Sequence, residues 1–460
     1  MTTGTRPSGA AYRRGGDGEV TRLTSNDLTT LLSDRGPAPM NIAAVLVVDG
    51  GSRLDPSAVV SALDLGTRRV PRLRQRLRAR PFGRGRPYWL DDDEFRVGRH
   101  LGFERVDSTE ALLLRMAELA CRPLPRDRPL WAAHWLSGLP GGEAALVFVT
   151  HHVLTDGIGG LAVLGALADG APETPGVPSS APTSGRPVGR GRPEPLRTAG
   201  SVRQRLRLLR SGLHDLGARR ERPRLCPHTS FNRPTGPRRR VSVLETPLGA
   251  AIDAAHRHGA TLNDLLLTAV AGAIGRSLAD RGEPVDSVVL SVPYSSRTST
   301  TAGRLGNETG VVPFRIPLES ACETDGPARL QRVAQLTRRQ RGRPRAASAA
   351  PLGVAFHALA RMGLLQWFVD HQRLVNSFVT NVRGPTAPFT FCGREVTRLL
   401  PVAVTPGNVA LTFDVLSYAG TLTISVVTDP DVVPDPGPVT AHLREELDLL
   451  LVSTNAPPLA

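Results

Sequence analysis

Apolar residues fall into short buried runs that alternate with amphipathic stretches, the pattern of an α/β protein. Met40–Asp49 is an apolar run closed by Asp49-Gly50-Gly51 and predicts a buried strand and a turn. Asp55-Pro56 predicts a helix start, with Asp55 as N-cap and Pro56 in the first helical position. Ala144–Thr150 predicts a second buried strand, and helical spacing resumes over 156–169. In the second half, strands are predicted over Arg240–Glu245, Val285–Pro293, Val311–Ile316 and Val375–Val382. Helices are predicted over Leu248–His258, Thr261–Ala279 (capped by Thr261) and Ala328–Arg341. Asn408–Leu416 and Thr421–Thr428, joined through Tyr418-Ala419-Gly420, predict a strand pair.

A Pro, Gly, Ser, Thr and Arg tract without periodicity separates the two halves and predicts a linker. The expected organisation is a disordered leader at 1–20, an N-terminal lobe at 21–170, a linker at 171–200 and a C-terminal lobe at 201–460. Just past the linker, Val202, Leu206, Leu209, Leu213 and Leu216 share one helical face, with Arg203, Arg207 and Arg210 beside it.

The net charge of +15 at first suggests an anionic partner. Lysine is absent, however, so all 57 basic residues are arginine, and with the Ala, Gly and Pro excess this reads as coding bias. No basic stretch carries interleaved aromatic residues, so nucleic acid is not an expected partner. Cys121, Cys226, Cys322 and Cys392 are far apart and predict neither a zinc site nor a disulfide framework, which fits a reducing cytosol. The N-terminus has no signal-peptide pattern and the chain has no membrane-spanning run, so membrane contact is expected to be peripheral.

The candidate chemistry lies at the exit of the second strand, in His151-His152-Val153-Leu154-Thr155-Asp156-Gly157. The four fixed letters H-H-x-x-x-D-G arise by chance in roughly one chain per thousand of this length. A hydroxyl that attacks a thioester needs a base at neutral pH, and a neutral imidazole serves. The imidazolium can then protonate the leaving thiolate, so neither metal nor cofactor is required. Neighbouring strand residues face opposite ways, so His151 and His152 are poorly placed to share an ion. A carboxylate at Asp156, held by a buried arginine, would fix the loop that aims the histidine. Gly157 would allow a backbone turn that a side chain would block. Against this stands the plainer reading of a strand histidine as a satisfied core residue.

This motif is that of the chloramphenicol acetyltransferase-like superfamily, which includes peptide-synthetase condensation domains. Other blocks resemble the bacterial wax ester synthase/diacylglycerol acyltransferase family in particular. They include Pro39-Met40-Asn41, Arg128-Pro129-Leu130-Trp131, Thr261-Leu262-Asn263-Asp264, Val292-Pro293 with Arg297, Leu305-Gly306-Asn307, Thr380-Asn381-Val382-Arg383-Gly384-Pro385 and Leu416-Ser417-Tyr418-Ala419-Gly420. Their order along 22 to 436 carries the likeness more than any one block. Leu31-Leu32, where an aromatic is frequent, and Arg383, where a proline is frequent, depart from the pattern and leave chain-length preference open.

The resemblance implies two chloramphenicol acetyltransferase-like lobes, each a mixed sheet with helices, and a channel between them. It implies an acyl-CoA-dependent O-acyltransferase that moves a long-chain acyl group to diacylglycerol or a fatty alcohol, with acyl-CoA as substrate and no cofactor. It also implies His152 as base, His151, Asp156 and Gly157 as supports, and Pro129, Leu130, Trp131, Asn263, Asp264 and Asn381 as channel or structural positions. Trp131 reads equally as core, and Asn263-Asp264 equally as a helix cap. Some arginines could meet CoA phosphates, and the 202–216 face could lie on an anionic membrane or lipid-droplet surface at the cytoplasmic side. Two other readings stay open: an acyltransferase esterifying a polyketide or other secondary metabolite, and a non-catalytic lipid-binding paralogue.

Overall fold

A computed structural model describes residues 21–79, 86–170, 225–295, 309–318, 326–341, 356, 359, 362–404 and 407–452. The expected leader, linker and 202–216 leucine face, together with Arg297 and Leu305–Asn307, lie outside these residues. The first half runs α1 (Ser25–Ser33), β1 (Asn41–Val48), α2 (Pro56–Arg69), β2 (Gln75–Arg78), β3 (Tyr88–Asp91), β4 (Leu101–Arg105), α3 (Thr109–Ala120), β5 (Trp131–Ser137), β6 (Ala144–His151) and α4 (Gly157–Leu167). The second runs β7 (Arg240–Pro247), α5 (Leu248–Arg257), α6 (Leu262–Ala279), β8 (Ser287–Ser295), β9 (Thr309–Pro317), α7 (Gly326–Arg341), α8 (Leu365–Asp370), β10 (Ser377–Arg383), β11 (Thr390–Phe391), β12 (Arg394–Ala403), β13 (Leu411–Tyr418), β14 (Thr421–Thr428) and α9 (Gly437–Val452).

Strand β1 reads as an apolar run because both of its faces are covered. Leu46 and Val48 enter one cluster with Trp131 and Phe148, while Val45 and Val47 enter another beneath α3. Its two edges are filled antiparallel by β6 and β12, giving a mixed sheet in the order β11-β12-β1-β6-β5-β4. Strands β11 and β12 come from the far end of the chain, so the expected C-terminal lobe at 201–460 is corrected: 390–403 belong to the first sheet. The reason is complementarity. Val396 and Leu399 enter one of the two clusters that flank β1, and Leu400 and Val402 enter the other, so this placement buries both faces of β12.

The second sheet has the order β7-β14-β13-β10-β8-β9, with β10 parallel to both β13 and β8. Helices α5, α6, α7 and α9 supply the apolar cover of one face. Strands β13 and β14 meet at Ala419-Gly420, where both residues take left-handed backbone (φ 45° and 84°) that matches the twist of a two-residue hairpin.

Helix α6 is buried almost all round, so its end must satisfy its own amides. Thr261 and Asp264 form a capping box, and Asp264 also accepts the Thr337 hydroxyl at 2.7 Å. Asp264→Ala removes one half of the capping box and one of the two acceptors of the buried Thr337 hydroxyl, which costs on the order of 1–3 kcal/mol. Thermal unfolding is therefore expected to show a Tm lower by several degrees, with activity kept well below that Tm.

Candidate active site

Strand β6 ends at His151, and the chain then turns its two histidines apart. The main chain is pinned on both sides. The His151 amide donates to the Leu130 carbonyl (3.0 Å) and the His152 amide to the Met40 carbonyl (2.8 Å). The His151 side chain is buried in the first lobe, where Nδ1 accepts the Val153 amide at 3.0 Å. Its other nitrogen, Nε2, therefore carries the proton in the neutral ring and lies 3.1 Å from Asp34 Oδ2. That N–H points off the direct line, so the contact is a close electrostatic pair rather than an aligned hydrogen bond.

Asp34 gathers three segments around this point. Its Oδ1 accepts the Met40 amide at 2.9 Å, and its Oδ2 accepts Arg126 at 2.6 Å beside His151. Burial alone would raise the Asp34 carboxyl, but His151, the Met40 amide and Arg126 outweigh it and bring the pKa down to about 2.

The His152 ring is half-buried and lines a cavity of about 210 Å³ between the two lobes. Its Nδ1 is buried without an aligned hydrogen-bond partner, and Nε2 is the ring nitrogen left open to the cavity. Burial holds the imidazole below its ordinary pKa, while its own main-chain carbonyl and the charges of Asp156 and Asp27 pull the other way. The ring is thus a free base at neutral pH.

The cavity is walled mainly by apolar groups of β1, α4, β10, β12 and β13, with Thr150, Thr380, Asn381 and Asp414 as its polar groups besides His152. Its size suits the reacting ends of two substrates rather than two whole long chains.

Asp156 is buried and caps α4, accepting the Gly159 amide at 2.9 Å. Gly157 opens α4 with ordinary backbone, so the special turn expected there is corrected. What the residue permits is proximity, since a Cβ would sit 3.1 Å from Val382 Cγ2 of β10. Asn381 reaches the cavity from β10.

Leu130 and Trp131 do not line the cavity. Trp131 is stacked between His100 and Phe148, with ring centroids 4.3 and 5.3 Å away, and donates from Nε1 to the Leu73 carbonyl at 2.7 Å. It anchors β5, whose pairing with β6 supports the histidine strand from behind. Pro129 lies two residues ahead of β5, its carbonyl accepting the Trp131 amide at 2.9 Å. Asn263 and Asp264 lie on α6, also off the cavity wall.

Sequence reasoning missed Asp34, Thr380 and Asp414 as site residues. Asp414 did carry a signal, being the one acidic or basic residue inside the Leu411–Tyr418 strand. Asp34 carried none, because an acid beside an arginine in a polar turn reads as surface.

This two-lobed fold is that of condensation domains. The wax ester synthase/diacylglycerol acyltransferase catalytic domain matches residues 23–266, and the C-terminal domain of the same family matches 305–451. The chain belongs to that family. It is 29% identical over 431 residues to a probable diacylglycerol O-acyltransferase of Mycobacterium tuberculosis, covering 89% of this chain and 91% of that one. A wax ester synthase/diacylglycerol acyltransferase structure from Marinobacter aquaeolei superposes with a TM-score of 0.68 at 20% identity, over 95% of this chain and 100% of that one. The first condensation domain of the CDA synthetase has a TM-score of 0.59 at 18% identity, over 94% and 96% of the two chains.

The Asp34 carboxyl titrates from 3.8 in the open chain down to about 2 in the fold. A depressed carboxylate stabilises the native state above its unfolded pKa, here by on the order of 2 kcal/mol, and loses that effect as pH falls toward the folded value. Asp34→Asn is expected to lower Tm by a few degrees at pH 7. The gap should shrink between about pH 4 and about pH 2, as calorimetry at several pH values would measure.

Proposed function

We propose that His152 is the general base of an acyl-CoA-dependent O-acyltransferase that makes triacylglycerol or wax esters. The observation that carries this reading is the open Nε2 of His152 in the interlobe cavity. Membership of the wax ester synthase/diacylglycerol acyltransferase family and likeness to mycobacterial diacylglycerol O-acyltransferases support the reaction class. The acceptor is diacylglycerol or a long-chain alcohol.

Nε2 takes the hydroxyl proton as the alcohol oxygen attacks the thioester carbonyl. The carbon–oxygen bond forms, the carbon–sulfur bond breaks, and the imidazolium returns its proton to the departing CoA thiolate. One imidazole thus handles both proton transfers, and the scheme uses no cofactor. His151 and Asp34 serve this step by holding the end of β6, and the Asp156 cap holds the start of α4.

Among the described residues, no helix is long and apolar enough to cross a membrane. On this reading the enzyme works from the cytoplasmic side and docks peripherally on the lipid that holds its acceptor. Sedimentation with anionic vesicles at low salt tests this docking, and the protein is expected in the pellet.

The reaction is tested by thiol release from palmitoyl-CoA with hexadecanol or dipalmitoylglycerol as acceptor. Wild type is expected to release CoA only with acceptor present, and His152→Ala to fall by about 10²–10⁴-fold. Equal rates for a folded His152→Ala protein would remove His152 from the base role.

A further inference from the structure

The cavity holds a second ionisable group that the proton transfers above do not use. Strand β13 alternates across its sheet, so Phe413 and Val415 enter the core of the second lobe while Asp414 and Leu416 face the cavity. Asp414 is 2% exposed, and no cation among the described residues acts on it. A buried carboxyl without a counter-charge costs stability, so its presence in a reaction cavity calls for a functional account.

Its two oxygens are used differently. Oδ1 accepts the Thr380 hydroxyl of β10, in its own sheet, at 3.1 Å. Oδ2 accepts the Ala403 amide of β12, in the other sheet, at 2.7 Å. Ala403 sits at the end of β12, and the next amide, Val404, turns toward β1 to reach the Asn41 carbonyl, so the Ala403 N–H points away from β1. Asp414 is therefore a polar tie between the two lobes inside the cavity wall that His152 also lines.

We propose that Asp414 is a positioning residue for acyl transfer, which holds the end of β12 against β10 and β13 and so sets the width of the cavity at His152. This inference rests on the acyltransferase reading above. The carboxylate accepts both bonds, and the protonated acid keeps the Ala403 bond on its carbonyl oxygen while its hydroxyl donates to a rotated Thr380 hydroxyl. Burial pushes its pKa up to about 7, against the bonds from Ala403 and Thr380. The groups around it are otherwise uncharged: Thr380 on β10, Ala403 on β12 and Ser425 opposite it on β14. Among the described residues, His152 is the other titratable side chain that lines the cavity. Protonation near pH 7 therefore reverses the bond to Thr380 and leaves the tie to the Ala403 amide in place. His152, held below its ordinary value, titrates lower.

Two variants of the full chain separate positioning from bulk stability, using thiol release from palmitoyl-CoA with hexadecanol from about pH 6 to about pH 9. Asp414→Asn cannot titrate. Its amide oxygen can take the Ala403 N–H while its NH2 donates to the rotated Thr380 hydroxyl. It is expected to match wild type within about threefold across this pH range. Asp414→Leu makes neither bond and is expected to lose at least about tenfold in kcat/KM at every pH, assayed well below its own, lowered Tm.

An Asp414→Leu enzyme as active as wild type well below its Tm would overturn the proposal, as would an Asp414→Asn enzyme as impaired as Asp414→Leu. If Asp414→Leu does not fold, Asp414→Asn decides alone, and a loss of about tenfold or more in kcat/KM overturns the proposal. Wild type without acceptor-dependent release at high pH overturns the acyltransferase reading itself, and this inference with it.

Discussion

The antiparallel pairing of β1 with β12 is the constraint on which the rest of this structure depends. It takes a strand from the far end of the chain and lays it on the sheet that carries the histidines. The next strand, β13, returns to the other sheet. Two sheets joined by consecutive strands cannot drift apart without breaking a ladder, so the space between them keeps a defined shape. His152 looks into that space from one side and Asp414 from the other.

The two histidines show how a one-residue step along a strand divides labour. His151 is enclosed, with Nδ1 bonded to the next turn and Nε2 against a carboxylate, so both nitrogens are committed to structure. His152 has an enclosed Nδ1 and an open Nε2. A proton can move only at an atom that a substrate can reach, and this geometry leaves one such atom.

Asp34 and Asp414 make the matching contrast. Asp34 has an arginine, a histidine and an amide around it, and it stays ionised far into acid. Asp414 has an amide and a hydroxyl but no positive charge, and burial carries it up toward neutrality. Residues of the same chemistry thus become a fixed anchor in one place and a titrating group in the other. The difference lies in whether a compensating charge comes with the desolvation.

The sequence by itself determined the local elements whose signals are local. The apolar runs of β1 and β6, the Asp55-Pro56 start of α2, the Thr261 cap of α6 and the Ala419-Gly420 hairpin all stand where periodicity and capping chemistry placed them. The H-H-x-x-x-D-G run marked the site, and the alternation of strand faces already separated His151 from His152. Tertiary structure alone decided which sheet β12 would join, because strand pairing depends on which edge is uncovered as well as on the strand's own residues. It decided that Leu130 and Trp131 support the site from behind, since an aromatic in a strand reads the same as core or as wall. It also brought Asp34 to His151 and Asp414 to Ala403. Electrostatic partners are chosen by distance in space, and a linear chain does not carry that distance.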